Sequence, residues 1–462
     1  MREALTTAGF VAAAAVVGLL AWKTAPPAER AEAFGGQGER FFPDFQDSLR
    51  ATSLEVIAFD EAQGAAKPFK VHLKDGRWTI PSHHDYPADA KDRMQKTAAA
   101  IIDLVKESIR SERAEDHEEL GVIDPLDPKA GLKGRGTRVT LRDVHDAVLA
   151  DVILGKPAGR EGVRYARLPG QNRTYATRMT DEVSARFSDW IETDLLQLAS
   201  VPIASVRIDS YSVDLDHGTL KDRQQIVATR DDQGKWKLDG LAETEDLQED
   251  KLREMAQALT AVKIAGVRAK PEGLTEGLMQ GNVPPTREAA VSLQRKGFYL
   301  TKDGLFSNEG ELSVEMKDGV VYTLRFGAIL VGEGEEVEAG GDEAAAATAQ
   351  PADPPTGGKE NRYLMVTARF EPSLLPEPKP EEPKADAKDD EKKRIQDENE
   401  KKKKEWTGQV EAGKKRAATL SERFAKWYYV IPAEAYGKVR LTRADLVKAK
   451  EPPKEPPKEG GK

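Results

Sequence analysis

The sequence predicts an α+β protein: an N-terminal transmembrane helix followed by two tandem repeated units of antiparallel sheet with packed helices. Three observations predict it. Residues 5–22 form an uncharged apolar stretch, and a later 35-residue stretch repeats an earlier one without a gap. The third is the strand pattern, which alternates apolar and polar residues between nearby turns, with no βαβ rhythm and no glycine-rich phosphate loop.

The apolar stretch comes first. "LTTAGFVAAAAVVGLLAW" contains Leu5, Phe10, Val11, Val16, Val17, Leu19, Leu20 and Trp22. As a helix it spans roughly 27 Å, close to one hydrocarbon core. Arg2 precedes it and Lys23 follows, with no small-x-small cleavage pattern beside its end, so an uncleaved anchor over residues 1–24 is expected in preference to a signal peptide. Only a few residues precede the span, so the bulk of the chain is expected outside the cytoplasmic membrane. Residues 25–50 read as a linker, 51–200 as the first unit and 201–448 as the second.

The repeat defines those units. Trp78 in "GRWTIPSHHDYPADAKDRM" aligns with Trp236 in "GKWKLDGLAETEDLQEDKL". Downstream, Met94 meets Leu252, Ile101 meets Leu259 and Ile109 meets Val267, so each copy reads as a strand ending at Trp, a polar loop and an amphipathic helix. Both tryptophans are expected to be mostly buried against those helices. Residues 137–156 likewise resemble 310–329, with Gly155 answering Gly327, and "SARFSDWIE" resembles "SERFAKWYY", which aligns Trp190 with Trp427.

His83, His84 and Asp85 are the residues that most invite chemistry. The second copy carries Leu241, Ala242 and Glu243 in their place. The repeated fold therefore needs none of the three, and a solvated loop is expected. Metal ligation would need a third ligand at a spacing the chain does not offer. The run from Asp116 to Glu119, with His117 inside it, reads as an exposed turn. No catalytic residue, metal ligand or cofactor is assigned.

Composition narrows the partners. The 462 residues include 70 Lys and Arg against 79 Asp and Glu, a net charge of −9, and no cysteine. That excludes disulfides and thiolate chemistry, and it gives no field that would attract nucleic acid. Residues 333–359 are acidic, Ala/Gly/Pro-rich and expected not to order; 376–413 form a second low-complexity insert. Within the latter, pairs such as Asp390–Arg394 and Glu398–Lys402 support an exposed charged helix. Residues 449–462 read as a disordered tail.

The order of Trp78, Pro87-Ala88-Asp89-Ala90, Leu120-Gly121 through Asp124-Pro125, and Leu154-Gly155-Lys156 resembles the domain of unknown function 4340 family. The likeness covers residues 50 to about 270. Val122 interrupts the family's compact Gly-Leu-Asp run, and the two inserts are unusually long. The resemblance implies an exported, membrane-anchored partner of ABC transporters of the gliding-motility type, and it brings no catalytic residues. The expected function is a non-enzymatic accessory subunit that contacts an ABC-type permease or ATPase in the cytoplasmic membrane. The alternatives are an envelope hydrolase acting on cell-wall polymer and a small-ligand binding protein.

Overall fold

The computed structural model describes residues 36–179, 183–214, 217, 219–279, 286–301, 304–332, 334–340, 359–384 and 388–450. The expected anchor, with Leu5, Phe10, Val11, Val16, Val17, Leu19, Leu20 and Trp22, lies outside them, as does the tail beyond Lys450. Among the described residues no helix is long and apolar enough to cross a membrane. The chain is a mixed α+β protein with large antiparallel sheets. It divides into two compact units, one holding the chain up to Trp78 together with Ala90–Ala185, the other Thr79–Asp89 and everything from Arg186 on.

The first sheet has nine strands: β1 (Ser53–Asp60), β2 (Ala65–Lys74), β3 (Arg77–Ile80), β4 (Tyr86–Pro87), β5 (Ser108–Ser111), β6 (Thr137–Arg142), β7 (Val148–Pro157), β8 (Val163–Arg167) and β9 (Thr174–Arg178). Their order is β4-β3-β2-β1-β6-β7-β8-β9-β5. Helix α1 (Lys91–Ile102) follows β4, and the single turn α2 (His117–Leu120) follows β5. Met94, Ala98 and Ile101 recur at helical spacing on α1 and are all buried, which is why this stretch coils and docks.

The second unit contains β10 (Ile203–Asp214), β11 (Thr219–Arg230), β12 (Trp236–Leu238), β13 (Glu245–Leu247), β14 (Gly266–Ala269), β15 (Phe298–Thr301), β16 (Gly304–Ser307), β17 (Glu311–Met316), β18 (Val320–Val331), β19 (Glu360–Phe370), β20 (Trp427–Pro432) and β21 (Val447–Ala449). Its helices are α3 (Glu249–Thr260), α4 (Glu272–Met279), α5 (Arg287–Arg295), α6 (Glu335–Glu338), α7 (Asp389–Ala425), α8 (Ala433–Val439) and α9 (Arg443–Leu446). The main sheet runs β12-β11-β10-β17-β18-β19-β20-β14. Strand for strand, this is the order β3-β2-β1-β6-β7-β8-β9-β5.

The registers agree as well. Leu54 pairs with Val71 and Leu141, and Val206 pairs with Ala228 and Val314; all six are buried. A bulge interrupts β7–β8 between Leu154 and Pro157, and another interrupts β18–β19 between Phe326 and Ile329. Gly155 and Gly327 sit in those bulges. A Cβ on Gly155 would meet Val122 at 2.5 Å and the Leu120 carbonyl at 2.6 Å, and one on Gly327 would overlap the Lys296 carbonyl. In each unit the chain leaving a helix crosses the bulge, and only glycine lets it pass. Arg164 and Arg362 then donate to the Gly155 and Gly327 carbonyls, both at 2.9 Å.

One expectation changes. Ile109 pairs with Tyr175 and Val267 with Tyr429, so Trp427 stands where Arg173 stands in the first unit. Trp190 lies beyond β9, at the end of a 3-10 turn, so the local likeness around the two tryptophans is not a structural correspondence. Both are buried. Trp236 is buried too, and Trp78 is partly buried, with Ile80 the fully buried residue of β3.

The inserts are also more ordered than their composition suggests. Val337 and Ala339 are buried, so residues 334–340 pack; residues 341–358 lie outside the described set. The second insert is mostly helix. Helix α7 runs for 37 residues, and its last turns bury Gly413, Ala417, Leu420 and Phe424. Its charged first half is braced by residues 375–384. Trp406 donates its indole N–H to the Leu375 carbonyl at 2.8 Å, and Asn399 bonds both the N–H and the carbonyl of Glu381 at 2.9 Å. Its ion pairs four residues apart include Arg394–Glu398 and Lys401–Glu405, with the base preceding the acid, rather than the pairs expected. Such exposed pairs add little.

Candidate functional site

The loop of His83, His84 and Asp85 belongs to the second unit; His84 and Asp85 are exposed as expected, but His83 is not. His83 is only 3% exposed and stacks on Phe187, with ring centroids 4.4 Å apart and planes 1° from parallel. Its Nδ1 lies 3.0 Å from Ser82 Oγ, and its Nε2 lies 3.4 Å from a Glu338 carboxylate oxygen. With Nε2 carrying the proton, the Ser82 hydroxyl donates to Nδ1 and the ring donates to Glu338. His84 Nε2 lies 2.8 Å from the Ala339 carbonyl, which can only accept, so that nitrogen is also protonated. Both His84 and Asp85 have positive φ, 59° and 60°. The loop thus grips residues 338–339, and those residues in turn hold β14. Arg268 donates to the Val337 carbonyl at 3.1 Å, while a Cβ on Gly266 would overlap that carbonyl.

Beside this junction an open cleft of about 550 Å³ is lined by Ser188, Glu338, Lys359, Glu360, Asn361 and Glu434, among others. Ser82 is not part of its lining. Serine, imidazole and carboxylate occur here in the order of an acyl-transfer relay, but the ring is buried against Phe187 and the cleft meets only the carboxylate end.

His117, expected in an exposed turn, is also buried, and its Nε2 donates to the Asn172 carbonyl at 2.7 Å. His145 is exposed, and His217 pairs with Asp214 at 2.9 Å. An open cleft of about 620 Å³ in the first unit collects Glu61, Glu115, Glu118 and Glu119 together with Lys133 and Lys156, so its acids are interleaved with bases. Lys156 reaches the Glu119 carbonyl at 3.0 Å. Among the described residues, no group of three or more His, Cys, Asp or Glu is placed to hold a metal ion.

Sequence reasoning missed one unusual group. Lys270, just past β14, is buried, and its Nζ donates to the Phe424 carbonyl at 3.0 Å. That carbonyl belongs to the last turn of α7 and also accepts the Lys426 N–H. The amine also lies 5.3 Å from the centre of the Tyr428 ring, with buried Lys296 at 5.0 Å from the same ring. Burial, and then the charge of Arg325, push Lys270 down to about 7. Its local sequence, Gly-Val-Arg-Ala-Lys, carries no signal of that burial.

The last feature is an open cleft of about 530 Å³ beside β12, with Lys235, Trp236, Lys237, Leu247, Glu249 and Lys448 in its lining.

Residues 78–278 match the family model described as Domain of unknown function (DUF4340). No curated protein matches the chain, and no solved structure does. The family match covers the end of the first sheet's β2–β3 hairpin through α4. It therefore spans the junction between the two copies of the strand order.

Proposed function

We propose that this protein is a non-enzymatic, membrane-anchored envelope protein and an accessory subunit of an ABC-type transport system. The observation that carries the reading is where its buried polar side chains end. His117, Lys270 and Arg362 each donate to a backbone carbonyl, at Asn172, Phe424 and Gly327. The imidazole, the amine and the guanidinium are committed to holding loops and helix ends, which suits a rigid partner-binding scaffold better than turnover. The apolar stretch of residues 5–22 supports the anchor and an exported bulk. The suggested partners are ABC-type permease or ATPase subunits.

The test is cellular. Deleting residues 1–24 is expected to abolish function while the remainder still folds, and mild-detergent purification of the intact chain is expected to bring down ABC-type membrane subunits. A reporter fused after Lys462 should be active only outside the cytoplasm. A deletion variant that keeps full function would remove the anchored reading.

One observation favours a second reading, an envelope hydrolase: the Ser82–His83–Glu338 line, at 3.0 and 3.4 Å. Ser82→Ala separates the two. The accessory role expects unchanged function, whereas hydrolysis through Ser82 requires its loss in a folded protein.

A further inference from the structure

In the strand order shared by the two copies, one pairing differs. After β3 the chain closes a hairpin, with Thr79 opposite Pro87 and Ile80 opposite Tyr86. After β12 it does not. β12 ends its sheet, and β13, which holds the place of β4 in chain order, pairs instead with β21. Glu245 stands opposite Ala449 and Leu247 opposite Val447. The ribbon is fixed at both ends, because Gln248 N–H donates to the Leu446 carbonyl and Lys450 N–H to the Thr244 carbonyl, each at 2.8 Å. Among the described residues no strand takes beside β12 the place that β4 takes beside β3, and residues 235–238 line the cleft of about 530 Å³.

We propose that the outer edge of β12 is a docking site for an extended, acidic peptide segment of a partner protein, added to the sheet as a further strand. An edge strand offers a row of backbone donors and acceptors to an incoming chain. Trp236 and Leu238 turn inward and are buried, while Lys237 and, just before the strand, Lys235 are exposed, so the outer face beside this edge is basic. Lys448 adds a third ammonium from the ribbon, and Leu247 adds apolar surface. Asp246 and Glu249 also line the cleft, and Asp231 lies 3.7 Å from Lys237; Lys237 is the charged residue of β12 itself. Residues directly across from Lys235 and Lys237 in an added strand would be paired best by Asp or Glu.

Two other occupants fit less well. A second copy of β12 would set Lys237 against lysine, and like charges directly opposite destabilise a pair. The chain's own continuation, "EPPKEPPKEGGK", starts two residues after β21 but carries four prolines, which lack the N–H a ladder needs. The proposal goes beyond the accessory role and does not need the membrane anchor.

The probe is a fluorescein-labelled peptide alternating valine and glutamate, Val-Glu-Val-Glu-Val-Glu-Val, titrated with the full-length protein in detergent and followed by fluorescence anisotropy. Saturable binding is expected, weakened about tenfold or more by the Lys235→Glu, Lys237→Glu double substitution and by N-methylation of alternate peptide amides. The doubly substituted protein should in turn prefer the peptide with lysine in place of glutamate. Absence of saturable binding would overturn the proposal, as would indifference to N-methylation, which would mean charge attraction without strand addition. Binding seen only after residues 451–462 are removed would assign the cleft to the chain's own tail. Failure in this assay would leave the anchor deletion and the detergent co-purification unaffected.

Discussion

His83→Ala should destabilise the second unit substantially. The imidazole is 3% exposed, stacked at 4.4 Å on Phe187, and bonded on both nitrogens. Truncating a fully buried ring to a methyl group leaves a cavity, and large-to-alanine changes in cores cost about 2–5 kcal/mol. The bonds to Ser82 and Glu338 contribute about 0.5–1.5 kcal/mol each. Both partners can turn partly to water, so the low end applies to them, and the sum is about 3 kcal/mol. His84 is exposed and gives one bond to the Ala339 carbonyl, so His84→Ala should cost only about 1 kcal/mol. Equilibrium urea unfolding measures both through the shift of midpoint at constant slope. Hydrogen exchange adds a local readout: the amides of Val337 and Glu338, which donate to the Gly334 carbonyl, should lose protection in His83→Ala. A loss below about 0.5 kcal/mol, the range of an unremarkable surface site, would refute the packing argument and restore a solvated loop.

Further outcomes follow from the same packing. Trp236→Ala should cost about 3–5 kcal/mol and Trp78→Ala clearly less, both read by urea unfolding, because only the former is fully buried. Gly155→Ala and Gly327→Ala should each lose at least about 2 kcal/mol, since the added Cβ meets backbone that crosses the bulge; thermal unfolding would detect either. Lys270 gives a pH signature. Its amine is held near 7 in the fold against 10.5 ordinarily, so between those values the unfolded chain binds more protons and stability rises with pH. Below about 7 the cost of the buried charge is constant. Lys270→Met should therefore flatten the rise in urea midpoint between pH 7 and 10, a rise on the order of a few kcal/mol at most; an unchanged slope in the variant would mean that the amine stays charged throughout.

Much of the fold was legible because it rests on spacing. Met94, Ala98 and Ile101 against Leu252, Ala256 and Leu259 announce one helix twice, and the β6–β7 and β17–β18 hairpins carry the same alternation. The repeat failed where spacing no longer informs. Between β18 and β20 the second copy inserts the 334–340 turn and the whole of α7, and across that gap a local "R-F-x-x-W" likeness outcompeted the true register of Tyr175 with Tyr429. The histidine loop failed for another reason. A run of Ser, two His and Asp looks solvated on polarity alone, but its partner Glu338 is 255 residues away, inside a stretch whose composition argues against order. Lys270 was illegible for the same cause: its acceptor is a carbonyl far along the chain, in the last turn of α7.

The comparison of the two copies also bears on where function resides. The first sheet completes the shared eight-strand order without a 37-residue helix, a counterpart of the turn at 334–340 or the β13–β21 ribbon, so that order demands none of them. Each addition has been fastened with specific bonds: Asn399 and Trp406 hold the strap along α7, His83 and His84 hold the turn, and Gln248 and Lys450 hold the ribbon. Ordering a residue's backbone costs about 1–2 kcal/mol, so fixing such additions in place costs folding free energy that a disordered loop would not incur. A chain that keeps them fixed gains a shaped surface in exchange. That gain falls entirely in the second unit, and it is there, on the open edge of β12 and around the Glu338 cleft, that substitutions neutral for folding should still change what the protein binds.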